Sequence, residues 1–305
     1  MGDLSETSIS VDFKIKPIII PSAAIQRLEQ YPHGAGGLGD IWKCSMSTES
    51  GARHVAVKIV RVSQSDDKEL LYKAGRIIRR EAYVWITLSH VNILSFEGIV
   101  DDFGKIPALV SPWMENGSLN DYLKKEFSSL PGHRKLELVR QVAAGLSYLH
   151  GKDVVHGDLT GTNILVDDSE NLRLADFGLS MIAAESGNLT FGSLQSGNTR
   201  WMAPEFVDFP DDSDEPQSPQ KPTKRGDIYS FGCIMLQILL GKEPYSWIKH
   251  AVHVITAIAS GREPFKRGVN MDMDEVYELL SSRCLSKIPE QRPSTVEITT
   301  IMSPS

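Results

Sequence analysis

The stretch from Val154 to Asp168, VVHGDLTGTNILVDD, sets an acid and an amide, Asp158 and Asn163, in a Gly- and Thr-rich loop between two apolar, strand-like pieces. A second acid, Asp176, follows in LADFGLS. Two carboxylates and an amide offered from loops at the ends of short strands supply hard oxygen ligands for Mg2+ and a base for a hydroxyl. Taken singly, each is equally well read as a turn residue.

Lys58 stands inside the β-branched run VAVKIV, where a lysine is costly to bury unless an anion pairs with it. Glu81 offers that anion, because it lies on the apolar face of its helix with Ile77, Ile78 and Trp85. Each odd placement explains the other. The alternative is a Lys58 that snorkels from an edge strand and a Glu81 that faces solvent. Closer to the N-terminus is GAGGLGDI, in which Gly34, Gly36 and Gly39 allow the backbone to approach a phosphate. This loop lies between strands, so the dinucleotide-fold reading, which needs a helix to follow, fits poorly. A Gly-rich hairpin turn is the plain alternative.

Positioning these groups takes strands first and helices later. From Leu38 to Val62 short β-branched runs alternate with turn residues, which predicts an antiparallel hairpin. Apolar residues at 70, 71, 74, 77, 78, 85 and 88 have helical spacing, and short strands are expected over about 94–111. After Asn116-Gly117 the periodicity predicts helices over about 118–126, 133–151, 225–241, 248–260 and 273–285. The fold class is therefore α+β, with a small β-rich part at 25–111, a connection at 112–117 and a larger helical part at 118–305. Residues 1–24, polar and then Ile/Pro-rich, are expected to form a flexible or extended lead-in. Residues 180–200 have few apolar anchors, and DFPDDSDEPQSPQKPTK, 208–224, is an acidic, Pro-rich loop or insertion.

Composition narrows the function. The 305 residues, 41% hydrophobic and 23% charged, can build a full core. A net charge of −7 without clustered Lys and Arg argues against a nucleic-acid surface. Cys44, Cys233 and Cys284 lack the spacing of a zinc site and the even count of a disulfide framework, which points to the cytoplasm or nucleus, with the cytoplasm expected. The longest apolar run, Phe231 to Leu240, is too short to span a bilayer and is interrupted by Gln237. No signal peptide is visible, and Glu6 stands where a myristoylation motif needs Ser or Thr.

Order and spacing then join these parts. GxGxxGxI, VAVK, a helix Glu, HxDxxxxN, DFG, Ala203-Pro204-Glu205, an Asp opening the helix of DIYSFG and a late Arg292 occur in the order of the protein kinase signature set. Over about residues 27–302 the chain resembles a eukaryotic protein kinase domain with its two-lobed fold. HGDLTGTN, RWMAPE and PEQRPS most resemble tyrosine-kinase-like (TKL) kinases, especially fungal ones with an HGDL loop.

The resemblance implies ATP and Mg2+ as cofactors and a protein substrate. Gly34, Gly36 and Gly39 would cover the phosphates, and Lys58 would hold the α- and β-phosphates while pairing with Glu81. Asp158 would accept the substrate hydroxyl proton, and Asn163 and Asp176 would hold Mg2+. Ile41, Ala56 and Leu165 would sandwich the adenine, with the Pro112 carbonyl and Met114 amide meeting its edge. Ser111 would stand behind it as a small gatekeeper that leaves the rear of the pocket open. Phe96, Trp85, Phe177 and His156 would stack between the lobes, Asp227 would anchor the catalytic loop, and Glu205 would pair with Arg292. Residues 176–205 would be the activation segment.

Three positions depart from the pattern. Gly157 replaces an Arg that receives an activation-segment phosphate, so activity is not expected to depend on phosphorylation in the ordinary way. Thr160 and Asn198 replace a Lys and a Thr that contact the γ-phosphate and Asp158. Losing one such charge-assisted hydrogen bond costs roughly 1.5–3 kcal/mol, which weakens an enzyme without abolishing it. The Lys that marks Ser/Thr kinases is absent, and so are the Arg/Ala loop patterns typical of tyrosine kinases, so it is the resemblance to the TKL group that implies phosphorylation of Ser or Thr more than Tyr. The alternatives are a pseudokinase that acts as an ATP-binding, scaffold or allosteric module, and a small-molecule phosphotransferase of kinase-like fold. The acidic insertion is a solvated spacer or a recruiting surface for a basic regulatory partner.

Overall fold

The computed structural model describes residues 18–36, 39–60, 68–177, 198–207, 221–266 and 274–303. Its N-terminal part is a seven-stranded sheet in the order β1 (Ile19–Ile20), β6 (Gly98–Val100), β7 (Ala108–Pro112), β5 (Gly51–Val60), β4 (Gly39–Thr48), β2 (Ile25–Arg27), with β3 (Gly34–Gly36) also pairing β4. The expected hairpin is β4–β5, paired in register from Gly39↔Val60 to Thr48↔Gly51.

Alternation along β5 gives the sheet its two faces. Val55 and Val57 enter a small core with Cys44, Met46, Val100, Ala108 and Val110, closed by Ile20 and Ile25 from the N-terminal segment. Ala56 and Lys58 point the other way, across from Ser111 and Leu109 on one side and Lys43 and Ile41 on the other. Helix α1 (Lys68–Ile86) lays Ile78, Ala82 and Trp85 against this second face, where Ile99 and Leu109 join the main core.

The described part of the 1–24 lead-in is extended through Pro21, closes in a 3-10 turn over Ser22–Ala24, and is held in place. Ile18 O accepts from Ile99 N at 2.9 Å, β1 pairs parallel with β6, and Ile20 is buried. Its Ile-rich run carries no alternation, so only the pairing itself reveals it as a strand.

After Pro112 the chain becomes helical: α2 (Leu119–Glu126), α3 (Gly132–Gly151), a hairpin of β8 (Ile164–Val166) and β9 (Leu172–Leu174), then α4 (Lys224–Leu240), α5 (Ala251–Ala259), α6 (Glu275–Cys284) and α7 (Thr295–Ile301). Helix α4 is the axis of this lobe. It is buried on nearly every side from Gly226 to Ile238, and α3 and α6 pack on it. It starts at a Thr223 cap whose hydroxyl accepts from Gly226 N. The sequence does not predict α7, whose seven residues are mostly β-branched; a capping box between Ser294 and Glu297 starts it. Among the described residues no helix is long and apolar enough to cross a membrane. Most of the 208–224 segment and of 180–200 lies outside the described residues.

Candidate active site

The second face of the small sheet is the upper wall of the cleft. Strand register places Ile41 beside Lys58, and Ala56 beside Ser111, on this one surface. Ile41 and Ala56 are half-buried, whereas Ser111 is buried. Gly34 pairs Ile41 and Gly36 pairs Gly39 at the tip of the β3–β4 turn, and a side chain at Gly34 would meet open space. Lys58 Nζ lies 2.6 Å from Asp176 Oδ1, with the two side chains 11% and 30% exposed. Glu81 is in α1, one turn from the buried Ile78 and Trp85, but its side chain lies outside the described residues. The ion pair seen for Lys58 is therefore the one with Asp176.

The connection between the parts runs along the rear of this wall. Trp113 N donates to His54 O at 3.3 Å, Gly117 N to Met114 O at 3.1 Å and Val166 N to Gly117 O at 2.9 Å. A bridge from Ser118 to Leu165 brings Leu165 beneath, and both Leu165 and Met114 pack partly buried against the main core. On the outer rim Glu115 accepts from Lys43 Nζ at 3.0 Å, His54 Nδ1 at 3.0 Å and Trp113 Nε1 at 3.2 Å. These bonds, that of His54 foremost, hold the Glu115 carboxyl below the usual range. Pattern reading misses this rim, because its members come from two strands and a loop.

The lower wall is the loop from His156 to Asn163. Asp227, 2% exposed near the start of α4, accepts from the backbone N–H of His156 and of Gly157, each at 2.8 Å, and pairs with the His150 ring at 2.8 Å. Gly157 has φ +76°, a conformation that glycine adopts without strain. Asn163 Nδ2 donates to the carbonyl and to the carboxylate of Asp158, at 2.8 Å in both cases. Asn163 O in turn accepts from Ala175 N at 2.8 Å, which ties the loop to Asp176. Asp176 itself is held at φ +57°, a conformation non-glycine residues keep only where surroundings enforce it. Thr160 is 2% exposed, and its hydroxyl meets that of Thr162 at 2.8 Å.

An aromatic column joins the walls. Phe96 stacks on Trp85 at 5.0 Å, Trp85 meets Phe177 at 5.8 Å, and Phe177 meets His156 at 6.3 Å. Burial pushes the His156 pKa down and keeps the ring neutral. Farther down, the fully buried Arg292 grips Glu205 through two contacts of 2.6 Å.

The model of the protein tyrosine and serine/threonine kinase family matches residues 30–302. The chain belongs to that family.

Protein kinases use ATP and Mg2+. Mg2+ takes one or two protein groups and completes its shell with phosphate oxygens and water. The residues of this kinase fit that habit. Asp176 offers a carboxylate, and Asn163, with its NH2 spent on Asp158, offers its amide oxygen. Among the described residues no group of three or more His, Cys, Asp or Glu could hold a metal unaided.

The kinase thus brings together most of the residues that the sequence singles out. Ile41, Ala56, Lys58 and Ser111 share the upper wall, Asp158 and Asn163 are bonded to each other, and Asp176 bridges to Lys58. His150 escapes sequence reading because its partner Asp227 is 77 residues away, and it ends a helix whose periodicity needs nothing from it. Asn198 opens a short 3-10 turn, and its side chain lies outside the described residues.

Proposed function

We propose that this kinase uses Mg-ATP to phosphorylate a protein hydroxyl, serine or threonine in preference to tyrosine, and that it is a tyrosine-kinase-like member with an HGDL loop. The observation that carries the reading is the state of Asp158. Its carboxylate is oriented by Asn163 Nδ2 at 2.8 Å, in a loop clamped to Asp227, while Lys58 and Asp176 meet across the cleft.

In this reading Ile41 and Ala56 from above and Leu165 from below enclose the adenine, whose edge meets the Pro112 carbonyl and the Met114 amide. Ser111 stands behind the ring. Gly34, Gly36 and Gly39 let the backbone close over the phosphates, and Lys58 fixes the α- and β-phosphates. Asn163 and Asp176 would hold Mg2+, which would supply charge neutralisation at the phosphates. Asp158 receives the proton of the attacking hydroxyl, and the Asn163 amide keeps the acceptor oxygen oriented. The residues mostly position and stabilise. The preference for serine and threonine rests on HGDLTGTN, RWMAPE and PEQRPS. Three free, buried cysteines fit a cytoplasmic location, and the 208–224 segment is the candidate contact for a regulatory partner.

A second reading, a pseudokinase, draws on Thr160, which is buried and engaged with Thr162, so that no cation reaches a phosphate from that position. Intact-mass spectrometry after incubation with Mg-ATP, beside an Asp158→Ala variant, separates the two. Phosphates that appear only with Asp158 present, mapped to Ser and Thr, support the kinase reading. A protein that binds Mg-ATP yet gains no mass supports the pseudokinase.

A further inference from the structure

Gln237 is the one polar interruption of the Phe231–Leu240 run, and it is 2% exposed in the last turn of α4. A buried amide must be partnered on both sides or it destabilises its helix. Its Oε1 accepts from the Trp201 indole N–H at 2.9 Å, and its Nε2 donates to Asn120 Oδ1 at 2.6 Å. The direction of this relay is fixed by chemistry. An indole N–H can only donate, so the Gln237 oxygen must face Trp201 and its NH2 must face Asn120.

The far end of the relay touches the catalytic loop. Asn120 N donates to Gly161 O at 3.2 Å. A Cβ at Gly161 would fall 1.9 Å from Asn120 Oδ1 and 3.1 Å from Gln237 Nε2. The space that a side chain at 161 would fill is thus occupied by the two amides, and Gly161 sits midway between Asp158 and Asn163. At the other end Trp201 is buried directly before Met202-Ala203-Pro204-Glu205, and its carbonyl accepts from Ser230 Oγ of α4 at 2.8 Å.

We propose that Trp201, Gln237 and Asn120 are positioning residues that set the height of the Asp158–Asn163 loop against the 198–207 segment, so that the base and the segment that follows the activation loop keep one spacing. None of the three touches the nucleotide or the hydroxyl. They act through Gly161, and the backbone contact there lets them move the loop without altering its side chains. A second clamp, Asp227, holds the start of the loop at His156 and Gly157. The amide relay holds its middle.

The catalytic arm of the test rests on the kinase reading, and a second arm does not. Gln237→Met keeps the volume and removes both hydrogen bonds. Gln237→Glu keeps the acceptor for Trp201, and regains the second bond if Asn120 turns its NH2 inward. Amide hydrogen exchange over 159–163 and 199–203 is measured for wild type, both variants and Ile298→Val, a core control in α7 far from the relay. Exchange at Gly161–Asn163 rises at least tenfold in Gln237→Met, largely recovers in Gln237→Glu, and stays at the wild-type level in Ile298→Val at equal distance below each protein's Tm. In the phosphotransfer assay kcat falls about tenfold in Gln237→Met, with the KM for ATP within twofold.

Exchange in Gln237→Met no faster than in the control overturns the proposal, and so does a loss that appears in KM for ATP alone. If Gln237→Met does not fold, Asn120→Ala, at a half-buried position, is read by the same two measurements and decides in its place. A wild type that transfers no phosphate defeats the kinase reading, while the exchange arm still decides the relay.

Discussion

The two walls of the cleft are built by opposite means. The upper wall is a sheet surface whose candidate functional residues are set by strand register alone: Ile41, Ala56, Lys58 and Ser111 stand side by side because β4, β5 and β7 are in register. Its charged contacts are part-exposed, as in Lys58 with Asp176. The lower wall is an irregular loop with little regular pairing of its own, and buried polar groups hold it from beneath through Asp227, His150 and the Gln237 relay. A sheet can lose a functional side chain and keep its shape. A loop hung on buried hydrogen bonds loses both together.

The largest expected effect follows from the lower wall. Asp227→Ala leaves two backbone donors and the His150 ring unpaired in a buried site, at about 1–3 kcal/mol for each stranded group. We expect a loss of at least about 3 kcal/mol by urea titration, together with loss of phosphotransfer in the fraction that remains folded. A stable, active Asp227→Ala protein would erase the contrast between the walls.

Lys58→Met is the matching experiment above. The pair with Asp176 is reached by solvent on the Asp176 side, so its removal changes stability by less than about 1 kcal/mol. If Lys58 holds the phosphates as proposed, phosphotransfer falls by about a hundredfold or more, the loss expected when a preorganised charge is removed from the reacting site. A large drop in urea midpoint would show instead that Lys58 carries the upper wall as Asp227 carries the lower.

This contrast also explains what could be read in the sequence. Lys58 in a β-branched run, Asp158 five residues before Asn163, and Asp176 just beyond the β8–β9 hairpin are local patterns, and local spacing fixes them on their strands and loops. Most helices from 118 onward were equally legible, α2, α3, α5 and α6 from apolar residues at helical spacing and α4 from an apolar run, whereas the short, β-branched α7 was not. The supports of the loop were not. Gln237 finds Asn120 across 117 residues, and its sequence context reads only as a flaw in an apolar helix. Pairing of Ile19–Ile20 with Ile99–Val100 joins two short apolar runs with no shared motif. The partner expected for Lys58 was Glu81, whose side chain lies outside the described residues, and the ion pair observed is with Asp176.

Gly157→Arg is a smaller test, and it separates the backbone of the loop from its side chains. At φ +76° an L-residue loses roughly 1–2 kcal/mol relative to glycine, while the N–H bond to Asp227 is kept. We expect a lower Tm of that size and kcat within a few-fold of wild type, measured by calorimetry and by phosphotransfer. A rise in Tm would mean that the new guanidinium finds a partner strong enough to outweigh the strain.

The smallest effect is a pH dependence beneath the lower wall. The His90 pKa is lowered by burial first and by Arg173 second, and its Nδ1 accepts from Asn92 N at 3.0 Å. Asn92 in turn holds Leu172 O through its side chain and Leu174 N through its carbonyl, so His90 supports the β8–β9 hairpin that flanks the catalytic loop. The folded pKa lies below the unfolded value of about 6.5, so between the two the unfolded chain binds the extra proton. The stability from neutral His90 is therefore complete above about pH 6.5 and is lost as pH falls toward the folded pKa. His90→Gln removes the titration. Its urea midpoint should fall less steeply than that of wild type between about pH 6.5 and 5, with His156, also lowered by burial, supplying the slope that remains. Equal slopes in the two proteins would mean that the His90 ring accepts a proton without giving up Asn92, and that the hairpin does not depend on it.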